Sequence, residues 1–478
     1  MRSICFILNN ETIETSTNPA VVVLDYIRKK RLTGAKEGCK EGDCGACTVL
    51  TGELIDNRLV FKSINSCLMP LGNAAGKHLV TVEALNLPGK ILNPIQQAFA
   101  EEGASQCGFC TPGFIVSLTG FFLNSDSSNF NKVIDALDGN ICRCTGHNSI
   151  IRAAEKLSIQ FKNSIPDGDE RLKFLIDERI IPEYFLNIEN RLKQINSVSN
   201  GVEINKNNNF HFIGGGTDIF VQKPDEVLNS EIILLKDLPE QNGLNGITEI
   251  NGYCFIGSRS SVTDILESNI FKKCFPQLLD FIELFGSTPI RNGATLGGNI
   301  NNASPIGDMT NFFLALNSTV ILRNGKSERK IPLNKYYLSY KKTDKKPFEY
   351  MHSLSFKIPE GNYFFNFEKV SKRTYLDIAS VNSSILLNIE NDIITNAHLS
   401  AGGVSAIPLY LFKTSDYLTG ESLNIDNIHE AVSIALSEIS PISDARGTAE
   451  YKKLLLSRLI YTHFITLFPH LISIEETV

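Results

Sequence analysis

Gln106-Cys107-Gly108-Phe109-Cys110-Thr111-Pro112-Gly113, followed some thirty residues later by Gly139-Asn140-Ile141-Cys142-Arg143-Cys144-Thr145-Gly146, is the stretch from which the rest of the chain is read. Residues three apart on one turn, as Cys107 and Cys110 are, aim both thiols the same way, and so do residues two apart in extended chain, as Cys142 and Cys144 are. Four thiolates are therefore expected to converge on one point. A second quartet lies upstream, where Cys39, Cys44 and Cys47 follow a C-x4-C-x2-C spacing inside Lys36-Glu37-Gly38-Cys39-Lys40-Glu41-Gly42-Asp43-Cys44-Gly45-Ala46-Cys47 and the distant Cys67 closes the set.

That upstream spacing is the plant-ferredoxin pattern for a [2Fe-2S] cluster held by four cysteine thiolates, with glycines letting the loop backbone wrap closely round the sulfides. The CxxC plus CxC set is less specific, because zinc also accepts four thiolates in such pairs. A zinc-binding or redox-sensing module without turnover is the alternative of another class. Disulfides fit less well in 478 residues with clustered cysteines and no secretion signal. Of eleven cysteines, the eight in the quartets leave Cys5, Cys254 and Cys274, which read as small buried hydrophobes.

At these motifs the sequence resembles the molybdenum hydroxylases, the family of xanthine dehydrogenase, aldehyde oxidase and carbon monoxide dehydrogenase, whose front end joins a C-x4-C-x2-C ferredoxin to a CGFCTPG…CRCTG helical unit. The resemblance implies two [2Fe-2S] clusters, one on Cys39, Cys44, Cys47 and Cys67, the other on Cys107, Cys110, Cys142 and Cys144.

Length and composition set the bounds. The size prior gives three or four domains for 478 residues, and 42% hydrophobic residues supply several cores. The net charge is −6 with Lys and Arg spread along the chain, which excludes the basic stripe of a nucleic-acid binder. No apolar run approaches a membrane span, so no membrane partner is expected. The opening Met1-Arg2-Ser3-Ile4-Cys5-Phe6-Ile7-Leu8-Asn9-Asn10 has too short an apolar run for a signal peptide, and a reducing cytoplasm is the expected compartment.

Taken in order, residues 3–8 and 11–15 read as a hairpin, Val21 to Lys30 as a helix, and Thr48 to Leu50 and Arg58 to Lys62 as strands flanking a Gly52-Glu53 turn. From Asn93 the punctuation is helical: Asn93-Pro94 opens a helix that Gly103 ends, Thr111-Pro112 repeats the device for Gly113 to Asn124, Asn129 to Asp138 follows, and a fourth helix runs from about Asn148 to Phe161. Residues 162–194, with Pro166-Asp167-Gly168-Asp169 and Pro182, lack a clean period and read as an extended connector.

Two glycine clusters come next. In Phe210-His211-Phe212-Ile213-Gly214-Gly215-Gly216-Thr217-Asp218-Ile219 an apolar strand runs into three glycines, which let backbone N–H groups approach a phosphate; it is not a Rossmann fingerprint, because Ile219 stands three residues after Gly216. The second is Arg291-Asn292-Gly293-Ala294-Thr295-Leu296-Gly297-Gly298-Asn299 through Ser304-Pro305-Ile306-Gly307-Asp308. Two such loops can hold the ends of a dinucleotide diphosphate. Here the resemblance is to the FAD domain of the same family, and it implies FAD contacts at Ile213, Gly214, Gly215, Gly216, Thr217, Asp218, Ile219, Thr295, Gly298, Asn299 and Asp308. It also places Phe285 against the isoalloxazine, although a phenylalanine in an apolar pattern equally packs in a core.

Phe367-Glu368-Lys369-Val370-Ser371-Lys372-Arg373-Thr374-Tyr375-Leu376-Asp377 resembles the start of the family's C-terminal flavoprotein domain, with Lys369 implied as a flavin contact and Arg373 and Asp377 as members of a loop near the NAD site. A solvated charge run is the other reading of that pair. Strands Ser380 to Ile389 and Ile393 to Leu399, the Ala401-Gly402-Gly403-Val404 turn, and helices near 427–438 and 447–467 complete the chain.

The expected fold class is α+β multidomain: a β-grasp plant-type ferredoxin domain (1–84), a four-helix [2Fe-2S] bundle (85–161), a linker (162–194), a non-Rossmann α+β FAD-binding domain (195–365) and a small α/β C-terminal cap domain (366–478). One-electron clusters followed by a flavin, which handles one or two electrons, read as a wire ending in a converter. The resemblance implies the small electron-transfer subunit of a split, bacterial-type enzyme of the xanthine dehydrogenase kind. A separate large subunit would bind molybdopterin, oxidise hypoxanthine and xanthine to urate, and pass electrons to the Cys107/Cys110/Cys142/Cys144 cluster, the Cys39/Cys44/Cys47/Cys67 cluster, FAD and NAD+ in turn. A heterotetramer of two small and two large chains follows from the family, no catalytic acid, base or nucleophile is required here, and an aldehyde- or N-heterocycle-oxidising partner is the alternative within it.

Overall fold

A computed structural model describes residues 3–125, 128–162, 165–166, 168, 170–195, 210–238, 243–373 and 376–472. The chain packs as two compact units, Met1–Pro239 with Ser287–Ala294, and Glu240–Gly286 with Thr295–Val478.

The first unit begins with a five-stranded sheet in the order Glu11–Thr15, Ile4–Leu8, His78–Val80, Thr48–Ile55, Arg58–Asn65. Its hairpins close at Asn9-Asn10 and Asp56-Asn57, where Asn9, Asp56 and Asn57 take positive φ, the geometry that two-residue turns matched to strand twist require. Gly52-Glu53 is therefore not the turn expected there. Gly52 lies inside strand Thr48–Ile55, paired with Phe61, and a β-carbon on it would stand 2.7 Å from the Phe61 ring, so the glycine makes room for an aromatic neighbour. Alternation along Thr48–Ile55 sends Val49 into a core with Phe6, Val23, Leu24 and Ile27, and Leu50 into a second core with the helices that follow.

Those helices are Pro94–Glu101, Thr111–Asn124, Phe130–Asp135 and Asn148–Gln160. The first carries a capping box, Asn93 accepting from Gln96 N at 2.8 Å and Gln96 Oε1 from Asn93 N at 3.0 Å, with Pro94 at the first helical position. Thr111–Asn124 is buried on nearly every side, which is why its sequence shows little amphipathic contrast. The turns between helices carry Cys107 and Cys110 on one side, Cys142 and Cys144 on the other.

The expected connector is a correction. Glu170–Asp177 and Ile188–Ile195 are helices, joined through a 3-10 turn at Glu183–Asn187. Leu175, Ile180, Ile181 and Phe185 join the bundle core, and Ile188 and Leu192 pack with Ile7 of the sheet. Proline and glycine suggested a loose strand of chain, yet apolar residues at 172, 175 and 176 already keep a helical period. The unit ends with parallel strands Phe210–Ile213 and Glu231–Leu234, whose Ile213 and Leu234 enter the first core. Residues 196–209, at the start of the expected FAD domain, lie outside the described residues.

In the second unit a five-stranded antiparallel sheet runs in the order Ser327–Pro332, Thr319–Asn324, Tyr350–Lys357, Tyr253–Gly257, Ile247–Ile250. Helices Leu296–Asn302 and Asp308–Ala315 accompany it. A four-stranded antiparallel sheet, Tyr363–Val370, Val381–Glu390, Ile393–Gly402 and Leu409–Tyr410, follows and buries its core against Phe412–Leu418, Ile425–Glu438 and Ala449–Leu467. Of the three cysteines outside the quartets, Cys254 and Cys274 are buried as expected, whereas Cys5 is only partly covered.

Phe185 carries the consequence of the structured connector. Fully buried, its ring lies 5.7 Å from Phe61 and 5.4 Å from His78. Phe185→Ala is expected to cost about 3–5 kcal/mol, seen as a lower chemical denaturation midpoint; a midpoint equal to the parent's would return residues 170–195 to the status of a tether.

Candidate functional site: two cysteine quartets and two glycine loops

Each quartet resolves into two thiol pairs. In the upstream set Cys47 and Cys67 place their sulfurs 3.3 Å apart, and Cys39 hydrogen-bonds the thiol of Cys44. In the downstream set Cys144 Sγ donates to Cys107 Sγ at 3.5 Å, and Cys110 pairs with Cys142. The two pairs of each quartet lie within electrostatic reach of one another, Cys67 interacting with Cys39 and Cys44 as well as Cys47, and Cys107 with Cys142 as well as Cys144, so the four thiols of each set gather as expected and do so as two pairs. A dinuclear cluster takes four cysteines as two per iron, whereas zinc draws all four to one centre. The donors present therefore fit [2Fe-2S] clusters.

Backbone groups prepare the sulfurs for negative charge. Cys39 is drawn down to about 4 by the Cys44 thiol and by the N–H groups of Glu41, Cys44 and Asp43. Cys47 falls to about 7 through Cys67, although burial opposes it, with Asn65 Nδ2 at 3.9 Å as a further donor. Cys44 and Cys67, their partners, are correspondingly raised. Exposed Cys107 is lowered by the Phe109 N–H and then by Cys144, while burial and Cys142 push Cys110 up to about 12. Against its burial, Cys142 is lowered by Thr145, whose hydroxyl donates at 3.1 Å and whose N–H donates at 3.4 Å.

The two cysteine loops touch. Ile141 N donates to Cys44 O at 3.1 Å, and Asn140 Nδ2 donates to Gly45 O at 3.2 Å while Asn140 Oδ1 accepts from Ser117 Oγ at 2.7 Å. A β-carbon on Gly113 would stand 2.2 Å from that same Gly45 carbonyl, so only glycine fits there. Asn140, and His147, whose Nε2 accepts from Cys142 N at 3.0 Å, were not singled out from sequence. Their places two residues before and three residues after the CxC motif were the available signal.

The residues expected at FAD fall in both units. In the first, Ile213 ends its strand in the core and Gly214 O accepts from Asn73 Nδ2 at 2.8 Å. Gly215 abuts Gly293 O and Gly216, at φ 94°, abuts Leu68 O, while Thr217 and Asp218 form the turn into helix Ile219–Gln222. In the second unit Thr295 caps helix Leu296–Asn302 by accepting from Gly298 N at 3.1 Å, and Asn299 Oδ1 accepts from Thr310 N at 3.2 Å. Asp308 accepts from Lys369 Nζ at 2.8 Å and from Asn382 Nδ2, and Lys369, its side chain 1% exposed, also donates to Leu284 O at 2.6 Å. Phe285 is 6% exposed and lies 5.2 Å from the Phe367 ring, so a core contact is part of its role. Asn382 was missed; its signal was the group of polar residues Ser380, Asn382, Ser383 and Ser384, all buried where strand Val381–Glu390 begins. Arg373 and Asp377 close a local loop, Arg373 N donating to Asp377 Oδ2 at 2.9 Å, with Thr374 and Tyr375 outside the described residues.

Four family models match in sequence order: a 2Fe-2S iron-sulfur cluster binding domain over residues 6–71, a [2Fe-2S] binding domain over 81–155, the FAD binding domain in molybdopterin dehydrogenase over 191–359, and the CO dehydrogenase flavoprotein C-terminal domain over 367–467. The xanthine dehydrogenase of Emericella nidulans is 30% identical over 97% of this chain and 38% of its own length. Xanthine dehydrogenase 1 of Arabidopsis thaliana is 27% identical over 93% and 38%, and the aldehyde oxidase of Homo sapiens 26% identical over 96% and 39%. The chain thus spans about two-fifths of these relatives. Among solved structures, a Cu,Mo-CO dehydrogenase chain aligns with TM-score 0.51 at 22% identity over 54% of this chain and 89% of that one, a likeness of fold. Among the described residues no helix is long and apolar enough to cross a membrane.

Two outcomes follow from this geometry. Removing the hydroxyl donor to Cys142 with Thr145→Ala is expected to lower the reduction potential of the downstream cluster, because the more negative reduced state loses a hydrogen bond; an EPR-monitored redox titration reads it. Asp308→Asn leaves the buried Lys369 ammonium without its carboxylate and is expected to cost about 3–5 kcal/mol, measured as a loss of denaturation midpoint.

Proposed function

The chain belongs to the molybdenum hydroxylase family as its iron-sulfur and flavin portion, and on that premise we propose that it is the electron-transfer subunit of a xanthine dehydrogenase. Electrons removed from hypoxanthine or xanthine by a separate molybdopterin-binding subunit pass through this chain to NAD+. One observation carries the reading: eight cysteines form two quartets, each split into thiol pairs suited to a diiron centre, on a chain that also matches the family's flavin domains. When bound, the clusters carry single electrons and the flavin combines two of them for transfer as hydride.

The chain's residues supply binding and charge compensation. Cys39, Cys44, Cys47 and Cys67 hold one cluster, Cys107, Cys110, Cys142 and Cys144 the other, and N–H groups of Glu41, Phe109 and Thr145 stabilise the sulfur charge. The Ile213 to Ile219 backbone offers N–H groups to a diphosphate. In the second unit Thr295, Gly298, Asn299, Asp308, Lys369 and Phe285 are assigned to the flavin, and Arg373 and Asp377 to the neighbourhood of NAD+. Two small and two large chains form the proposed assembly, working in the cytoplasm.

Purine is favoured as the partner's substrate because xanthine dehydrogenases of Emericella nidulans and Arabidopsis thaliana match at 30% and 27% identity. Aldehyde oxidases at 26% to 27% support an aldehyde- or N-heterocycle-oxidising partner as the second reading. Purification with the partner, followed by NADH formation from xanthine, a heterocycle and an aldehyde, and by oxygen consumption, separates these. NADH formation with xanthine is the expected result, and turnover confined to aldehyde would transfer the chain to the second reading.

Cys110→Ser tests the conduit itself. Bound iron is expected to fall from about four to about two atoms per chain, with flavin retained and xanthine-to-NAD+ flux lost. Full iron content together with undiminished flux would remove the downstream quartet from the route.

A further inference from the structure

The eight residues Ser287–Ala294 belong in sequence to the stretch matched by the FAD-binding model, yet they pack with the first unit. Helix Thr288–Gly293 meets all three loops described there. Pro289 Cδ lies 2.7 Å from where a β-carbon on Gly139 would stand, three residues before Cys142. Ile290 Cδ1 lies 2.5 Å from the corresponding point on Gly42, between Cys39 and Cys44. Gly293 O lies 1.7 Å from that point on Gly215, inside the glycine-rich loop. Asn292 Nδ2 adds a hydrogen bond to Ser63 O at 3.0 Å, on the strand that leads to Cys67. At the three glycines these contacts leave no free room for a side chain, most strictly at Gly215 against the Gly293 backbone carbonyl, so the segment fits the three loops in one register.

A single polar node locks it. The Asp138 carboxylate accepts from Thr288 N at 2.9 and 3.0 Å, from Thr288 Oγ1 at 3.0 Å and from Arg291 Nη2 at 2.7 Å, while Arg291 Nη2 also donates to Thr288 Oγ1 at 2.9 Å. The Arg291 and Asp138 side chains are 10% and 15% exposed. A buried ion pair of this kind adds little net stability over an apolar substitute, because desolvation offsets its attraction; its directional hydrogen bonds select one arrangement over its neighbours.

We propose that Ser287–Ala294 is a spacer that fixes the two cluster loops and the glycine-rich loop relative to one another, and that Asp138 and Arg291 are positioning residues for electron passage among the centres those loops hold. The assignment rests on the electron-transfer reading above. It adds that register is set by a segment remote in sequence from all eight quartet cysteines.

The test uses the full chain with the iron and flavin it carries as purified, comparing the parent with Asp138→Asn and Arg291→Lys. Asp138→Asn keeps the volume and loses the charge; Arg291→Lys keeps the charge and loses the planar fork. Three quantities are read: amide hydrogen exchange of residues 287–294, EPR spin coupling between the two reduced clusters, and the rate at which flavin is reduced after one-electron injection into the clusters. With iron and flavin contents unchanged, Asp138→Asn is expected to speed exchange in the segment by about tenfold or more, alter the spin coupling, and slow flavin reduction by about tenfold or more, with Arg291→Lys between it and the parent. Unchanged exchange overturns the latch. Faster exchange with spin coupling and flavin reduction both at parental values overturns the positioning role. A parent chain lacking iron or flavin sinks the electron-transfer reading and the spacer with it, whereas a fully loaded parent with unaffected variants sinks the spacer alone.

Discussion

Concentrating sulfur charge in two small loops is the constraint to which the first unit answers. Thiolates repel one another, and burial makes the repulsion worse, so each sulfur needs an N–H or a thiol donor within reach. Loops tight enough to aim N–H groups inward have little room for side chains. The place where Cys44 O accepts from Ile141 N, with Gly113 pressed on the Gly45 carbonyl, shows the result: backbone packed directly on backbone. Regular structure is then confined to the flanks, a sheet on one side and four helices on the other, and strand Thr48–Ile55 feeds both cores because it stands between them.

This accounts for what was legible in the sequence. Cysteine spacing is dictated by local chemistry and is written in consecutive residues, and so are the Asn93-Pro94 and Thr111-Pro112 helix starts. Features that depend on a partner far along the chain were not legible. Gly52 looked like a turn because the ring it accommodates, Phe61, sits across the sheet. Residues 162–194 read as a connector because proline and glycine mask a short helical period at 172, 175 and 176, and the partners of that period, Leu50 and Phe61 among them, lie far upstream in the first sheet. Asp138 and Arg291 stand 153 residues apart, and nothing in either neighbourhood announces the other.

Sequence families and packing units consequently divide the chain differently. The FAD-binding model begins at residue 191 and runs unbroken to 359, but residues 210–238 and 287–294 bury their apolar side chains with the ferredoxin sheet, Ile213, Phe220 and Leu234 entering the same core as Phe6 and Leu79, with Ile290 packed against it. Inheritance follows the sequence, whereas cohesion follows the buried surface. A glycine-rich loop rooted in the iron-sulfur core is held by that core's stiffness, because close-packed interiors transmit displacement rather than absorb it.

In the second unit the strand Tyr363–Val370 shows the same economy on a smaller scale. Its alternation places Phe365, Phe367 and Lys369 on one face and Phe364, Asn366, Glu368 and Val370 on the other. The first face continues a phenylalanine cluster, Phe365 lying 4.6 Å from Phe312 and 4.9 Å from Phe275, and ends at the Lys369–Asp308 pair. On the opposite face Asn366 Nδ2 donates to Glu368 Oε1 at 2.8 Å and to His463 Nδ1 at 3.0 Å. Burial raises the Glu368 carboxyl and holds His463 down at about 3, so the imidazole is neutral at ordinary pH and its Nδ1 is free to accept. The ammonium of Lys369 is thus kept apart, by one strand's thickness, from a carboxyl that is held toward its neutral form. Lys369 is thereby directed to Asp308, and Asp308 in turn to Asn382 on the adjacent strand, so this ion pair lies on the strand face that carries Phe365 and Phe367 and not on the face turned to the helix of His463.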